Sequence, residues 1–145
     1  MIKQSLYKKI QEVLPICCVD LIIKNGKGEF LLVKRKNRPA KGQWWVVGGR
    51  VKKGETLERA ALRKAKEEVG LNVILEKQLG AKETIFKKGI FGENIHTINV
   101  IFLANIKGKK KIKLDSQSTD YRWFKKIKTN WHAYLKKVLE SAEFK

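Results

Sequence analysis

Between Gly49 and Leu71 the chain spaces glycines, carboxylates and an arginine in a pattern with chemical meaning. Gly49 is followed after five residues by Glu55, after seven more by Arg63, and then by the adjacent pair Glu67 and Glu68 ahead of Gly70-Leu71. Two neighbouring carboxylates repel each other unless a cation sits between them. Oxygen-rich clusters of this kind suit Mg²⁺ or Mn²⁺, which bridge readily to phosphate oxygens. The plain alternative is a solvated helix on which Arg63–Glu67 and Lys64–Glu68 are ordinary i,i+4 ion pairs. The register of Gly49, Glu55, Arg63 and Gly70 with the acidic pair favours the site.

A helix must position these groups. Thr56 is an acceptable N-cap, Leu57 to Val69 lacks Pro and Gly, alanines at 60, 61 and 65 favour helix, and Gly70 is a natural stop. At about 100° per residue, Leu57, Ala61, Leu62, Ala65 and Val69 form the apolar stripe, with Ala60, Lys64, Glu67 and Glu68 in an adjoining band. Ahead of the helix, Trp44-Trp45-Val46-Val47 reads as a strand. Gly48-Gly49 reads as a tight loop that takes positive φ and lets backbone groups approach a ligand.

Elsewhere, Lys3 to Glu12 suggests a short amphipathic helix. Ile16 to Ile23 and Glu29 to Lys36 read as strands about an Asn25-Gly26 turn signal. Further strand-like runs lie at Val73 to Leu79, Thr84 to Phe86, Ile98 to Ile106 and Tyr121 to Phe124, and Trp131 to Phe144 reads as a closing helix. Strands flanking one internal helix, with a second helix at the end, predict an α/β fold with a mixed sheet between helices. The lysine run Lys107 to Lys113 reads as an exposed hairpin tip.

The 145 residues suffice for one domain, 1–145, with a core of its own. With 43% hydrophobic and 32% charged residues and no apolar run long enough for a membrane, a soluble cytoplasmic protein is expected. Cys17 and Cys18 are adjacent and point to opposite faces of a strand, which argues against a structural disulfide or a zinc site. The net charge of +19 draws anionic partners such as nucleotides or RNA, or else reflects a lysine-rich composition, the basic residues being spread along the chain.

The segment around Gly49 resembles the Nudix box at every fixed place except Lys64, which stands where that family usually has a Glu. The resemblance implies the Nudix α/β/α sandwich. Outside the box, Asp20, Gly28 to Leu32, Lys34 to Gly42, Trp44, and Gln117 with Asp120-Tyr121-Arg122-Trp123 are similar to the GDP-mannose mannosyl hydrolase branch. That branch is said to cleave the sugar C1–O bond by attack of water at carbon, and its box also lacks the first Glu. The resemblance implies that Gly48 through its carbonyl, Glu68 and Gln117 hold Mg²⁺ or Mn²⁺; Glu67, retained here where the branch often has a small residue, is read as a further ligand of the metal. Arg35 and Arg50 would neutralise charge on the leaving diphosphate, Arg38 is a further substrate-binding candidate, and Asp20 would contact the sugar or order the site. Arg63 is read as bracing the loop through a buried fork to Glu55. Each also has a plain reading: Arg35 and Arg38 as strand-end and loop charges, Asp20 as a cap at a bulge, Gln117 as a loop residue, Trp44 and Trp45 as core.

In two more places the chain departs from the branch. Ser118 stands where a His serves as general base, and Thr97 lies near the place of a Tyr that helps the leaving group. A neutral serine cannot take the proton unaided. Glu67 is therefore the chosen base, ahead of Glu93 and His96. The expected substrate is a small nucleotide, the leading one a nucleotide sugar. The alternatives are attack at phosphorus of a nucleoside di- or triphosphate, and a catalytically weakened sensor of nucleotide or RNA. Nucleic acid is not favoured, since no aromatic platform interleaves with the basic residues. A homodimer is compatible with the reading.

Overall fold

The computed structural model describes residues 2–37, 40–87, 94–108 and 111–145. Helix α1 (Gln4–Val13) leads into β1 (Ile16–Lys24), β2 (Phe30–Arg35), β3 (Trp44–Trp45) and β4 (Val47–Arg50). Helix α2 (Leu57–Val69) follows, then β5 (Val73–Phe86), β6 (Ile95–Ile106), β7 (Ser118–Phe124) and α3 (Ala133–Ser141). The sheet runs β3-β2-β1-β6-β5, with β4 also paired to β1 and β7 to β2. Among the described residues only β1 and β6 pair in parallel and the other pairs are antiparallel, so the sheet is mixed as expected.

Period-2 alternation gives the sheet two apolar faces. Val19, Leu21, Ile23, Leu31, Val33, Val100 and Phe102 pack beneath α2 with Ala60, Ala61, Ala65 and Val69. Ile22, Phe30, Leu32, Ile101 and Leu103 pack on the other face against Tyr134, Leu135, Val138 and Leu139 of α3. Buried alternately on both sides, β1 is the spine to which the site is attached.

The expected bounds of α2 are met: the Thr56 hydroxyl accepts the Arg59 N–H at 3.2 Å and Gly70 adopts φ 70°. Its buried face differs from the expected stripe. Leu62 is exposed, whereas Lys64 and Glu68 are buried along with the alanines.

Four other expectations are corrected. Gly48-Gly49 is no loop of positive φ but part of β4, paired with Asp20 and Val19 of β1. Trp44 to Val47 is not one strand, since the chain leaves β2 after Trp45 and joins β1 from Val47. Val73 to Phe86 is continuous, with bulges where two runs separated by a break were read and with Gly80 at φ 89°. Of the run Lys107 to Lys113, residues 109–110 lie outside the described residues; it is no hairpin tip between paired strands, since the next strand, β7, pairs with β2, and the Lys113 N–H donates to the Val69 carbonyl. In the Asn25 turn it is Gly28, not Gly26, that takes positive φ, while Asn25 Oδ1 accepts from the Lys27 and Glu29 amides.

Candidate active site

The site forms where β4, paired to the spine, runs beneath α2. Gly48 and Gly49 are required there by space. A Cβ on Gly48 would lie 2.3 Å from both Asp20 Oδ1 and the Val19 carbonyl oxygen, and one on Gly49 would lie 2.5 Å from Lys64 Cε. The absence of side chains lets the helix settle onto the strand, and the Gly48 N–H donates to Glu68 Oε2 at 3.2 Å.

Glu68 is 6% exposed. Burial pushes its carboxyl up to about 7, against the charge of Lys64, the Gly48 N–H and the charge of Arg35, and Asp115 pushes it further up. Lys64, 7% exposed, places Nζ 3.7 Å from Glu68 Oε1 and 3.6 Å from Glu67 Oε2. Glu67 is the outer member of the pair: both its oxygens accept from Arg63 Nη1, at 3.3 and 3.1 Å, and its side chain is 45% exposed.

Arg63 meets Glu55 as a fork, Nε to Oε2 at 2.6 Å and Nη2 to Oε1 at 2.9 Å, and Nη2 also donates to the Arg50 carbonyl at 2.9 Å. That hydrogen bonding holds the Glu55 carboxyl down at about 2. Glu55 in turn accepts the Lys52 N–H. The fork thus closes the turn between β4 and α2 and fixes the end of the glycine strand.

Asp20, 6% exposed, accepts the Tyr134 hydroxyl at 2.6 Å. Burial raises its carboxyl to about 6, against the Tyr134 bond and the charge of Arg35. Its place is inside the sheet, ordering Gly48 from below. Arg35 ends β2, its guanidinium shifted downward by burial and held by the charges of Glu68 and Asp20. Arg50 is exposed and lays its guanidinium over the Tyr7 ring at 4.1 Å. Gln117 is exposed; its carbonyl accepts the Lys36 N–H and its own N–H donates to Asp115 Oδ1. Ser118 pairs with Arg35 across β7 and β2. Arg38 and Glu93 lie outside the described residues. His96 is engaged with Glu83 at 2.9 Å. Trp45 is buried against Tyr134, and the half-buried Trp44 ring is covered by Arg122 and Lys34 at 5.5 and 5.7 Å.

The sequence reading missed three participants. Asp115 donates its N–H to the Glu68 carbonyl at 3.1 Å and adds a negative charge near that carboxylate. Its signal was its place two residues before Gln117. Tyr7 and Tyr134 come from distant helices, and no local spacing marks them.

Among the described residues no three His, Cys, Asp or Glu side chains converge on one point. A buried carboxylate whose proton affinity is raised by burial, with a second acid beside it, nonetheless offers the oxygen donors that a hard divalent ion takes, completed by carbonyl and phosphate oxygens. No described helix is long and apolar enough to cross a membrane.

The NUDIX domain family model matches residues 17–141. The low-salt glycan biosynthesis protein Agl8 of Haloferax volcanii is 32% identical over 133 residues, covering 89% of this chain and 83% of its own length. The ADP-ribose pyrophosphatase of Methanocaldococcus jannaschii is 36% identical over 109 residues, covering 74% of this chain and 62% of its own. Among solved structures, the MutT protein from Methanosarcina mazei Go1 is similar with a TM-score of 0.74 and 25% identity, over 90% of this chain and 95% of that one.

Proposed function

The chain belongs to the Nudix family, and from that membership we propose that it is a divalent-metal-dependent hydrolase of a nucleotide sugar, GDP-mannose being the leading candidate. Nudix enzymes act on small nucleotide-linked substrates and in general use a divalent ion such as Mg²⁺ or Mn²⁺. The observation that carries the reading is the buried Glu68 carboxylate, held by the Gly48 amide on the strand that the glycine pair brings under α2.

In this reading Glu68, the Gly48 carbonyl, Glu67 and Gln117 hold the ion, which when bound neutralises charge on the diphosphate. Arg35 and Arg50 face the same diphosphate as planar forks. Asp20 acts from within the sheet, keeping β1 and Gly48 in place. Glu67, the more exposed carboxylate, takes the proton of the attacking water. The sugar C1–O bond breaks, the nucleoside diphosphate leaves with the bonding electrons, and the water oxygen remains on the sugar. The glycan-biosynthesis role in the name of Agl8 supports a sugar-linked substrate. The reading assigns the chain to the cytoplasm and admits a homodimer.

Attack at phosphorus is the second reading. Ser118 in place of an imidazole favours it, as does the relative named as an ADP-ribose pyrophosphatase. A panel of nucleotide sugars and nucleoside polyphosphates in ¹⁸O-water with Mg²⁺ or Mn²⁺ separates the two. Label on free sugar supports attack at carbon, and label on phosphate supports attack at phosphorus. Binding without turnover across the panel refutes both and leaves a sensor.

A further inference from the structure

Position 64 is where the box departs from its family's pattern, and the structure gives its lysine an uncommon setting. A lysine at mid-helix ordinarily runs its ammonium out into water. Lys64 is 7% exposed, and its stem lies flat on the backbone of Gly49, where a Cβ would come within 2.5 Å of Cε and 3.0 Å of Nζ. The ammonium stands 3.7 Å from Glu68 Oε1 and 3.6 Å from Glu67 Oε2, so one amine serves both members of the acidic pair. The oxygens of Glu68 are divided between two donors: Oε2 accepts the Gly48 amide and Oε1 faces the lysine.

A glutamate at 64 would complete a trio of acids at i, i+3 and i+4 on one helix face, enough negative oxygen to draw more than one divalent ion. With lysine there, the face holds two carboxyls and an ammonium, and Arg63 already bonds Glu67, so it presents less negative charge before any metal arrives.

We propose that Lys64 is a built-in monovalent cation that takes the place of one divalent ion, so that the site binds a single divalent ion beside Glu68 and stays assembled when stripped of metal. The inference rests on the metal-dependent reading above and assigns the ion count to this residue.

The test is a Mn²⁺ titration of the full chain followed by EPR, without nucleotide so that turnover plays no part, on wild type, Lys64→Glu and Lys64→Met. Wild type is expected to bind one ion. Lys64→Glu should bind at least two, the first on the order of tenfold more tightly, since a nearby positive charge has become negative. Lys64→Met keeps the apolar stem but leaves Glu68 Oε1 without its ammonium, only the Gly48 amide remaining on Oε2. In EDTA it should melt below wild type, and Mn²⁺ should recover most of the difference. Two ions in the wild type, an unchanged count in Lys64→Glu, or a Lys64→Met that melts in EDTA at or above wild type would each overturn the assignment of Lys64 alone. If Lys64→Glu fails to fold even in Mn²⁺, the Lys64→Met melts decide. A wild type that binds no Mn²⁺ at all overturns both this inference and the metal-dependent reading.

Discussion

Replacing Glu68 by glutamine should make the metal-free protein more stable at alkaline pH while removing its activity. The carboxyl is carried by burial from an ordinary 4.5 to about 7. At about 1.4 kcal/mol per tenfold change in proton affinity, that displacement sets the ionised folded state at a disadvantage of about 3 kcal/mol. The sign follows from proton counting. Below an ordinary carboxyl's range both states are protonated and nothing is lost. Between 4.5 and about 7 the folded chain retains a proton that the unfolded chain has released, so stability falls as pH rises; above about 7 the whole disadvantage is present. Glutamine keeps an oxygen for the Gly48 amide and carries no charge. Urea unfolding in EDTA should give nearly equal stabilities near pH 4.5 and a variant more stable by about 3 kcal/mol near pH 8.5, with unchanged denaturant dependence. Asp20 titrates over a similar range in both proteins and cancels in the difference. Added Mn²⁺ should stabilise the wild type and not the variant, whose turnover should fall on the order of a thousandfold. A Glu68→Gln no more stable than wild type at alkaline pH would show that burial costs the carboxylate less than Lys64, the Gly48 amide and Arg35 return to it, and the case for a further cation beside it would fail.

Gly48→Ala should cost about 3 kcal/mol or more in urea unfolding, because the new methyl meets the Val19 backbone carbonyl in the central strand, which has no room to yield; a loss under 1 kcal/mol would show that β4 can lift. Tyr134→Phe removes the hydroxyl that donates to Asp20, with a loss of about 1–3 kcal/mol expected. Because that bond favours the ionised form, the loss should be larger above pH 6 than below it, and a pH-independent loss would mean that packing alone was disturbed. Ser118→His sets an imidazole opposite Arg35 and should raise GDP-mannose hydrolysis on the order of a hundredfold or more, with a new limb in the pH profile near the imidazole range. Unchanged or lower turnover, in a wild type that cleaves at phosphorus, would refute the sugar-carbon reading.

What was legible in the sequence was local. The bounds of α2 came from Thr56, the Pro- and Gly-free interval and Gly70, each acting within a turn of its neighbours. Glu55 and Arg63, eight apart on a turn and the helix it starts, were also within reach of spacing. The glycine pair was misread because its constraint is not conformational. Gly48 and Gly49 have ordinary strand geometry, and what excludes a side chain is β1 on one side and Lys64 on the other. The burial of Lys64, the approach of Asp115 and the cover of Tyr7 over Arg50 all depend on where distant segments cross, which no periodicity records. The lysine run suggested a hairpin because composition marks a polar turn but not which strand comes next.

The bond between Asp20 and Tyr134 also sets a schedule. The two residues lie 114 apart in sequence. At cellular synthesis speeds of about 5–20 residues per second, roughly 6 to 23 seconds pass on the ribosome between them. For that interval the central strand carries a carboxylate without its donor, and its parallel neighbour β6 is made late as well. Contacts of such separation close slowly and form cooperatively. The β5–β6 ribbon has no such delay, so the newborn chain holds a finished edge of the sheet before it holds the floor of its own site.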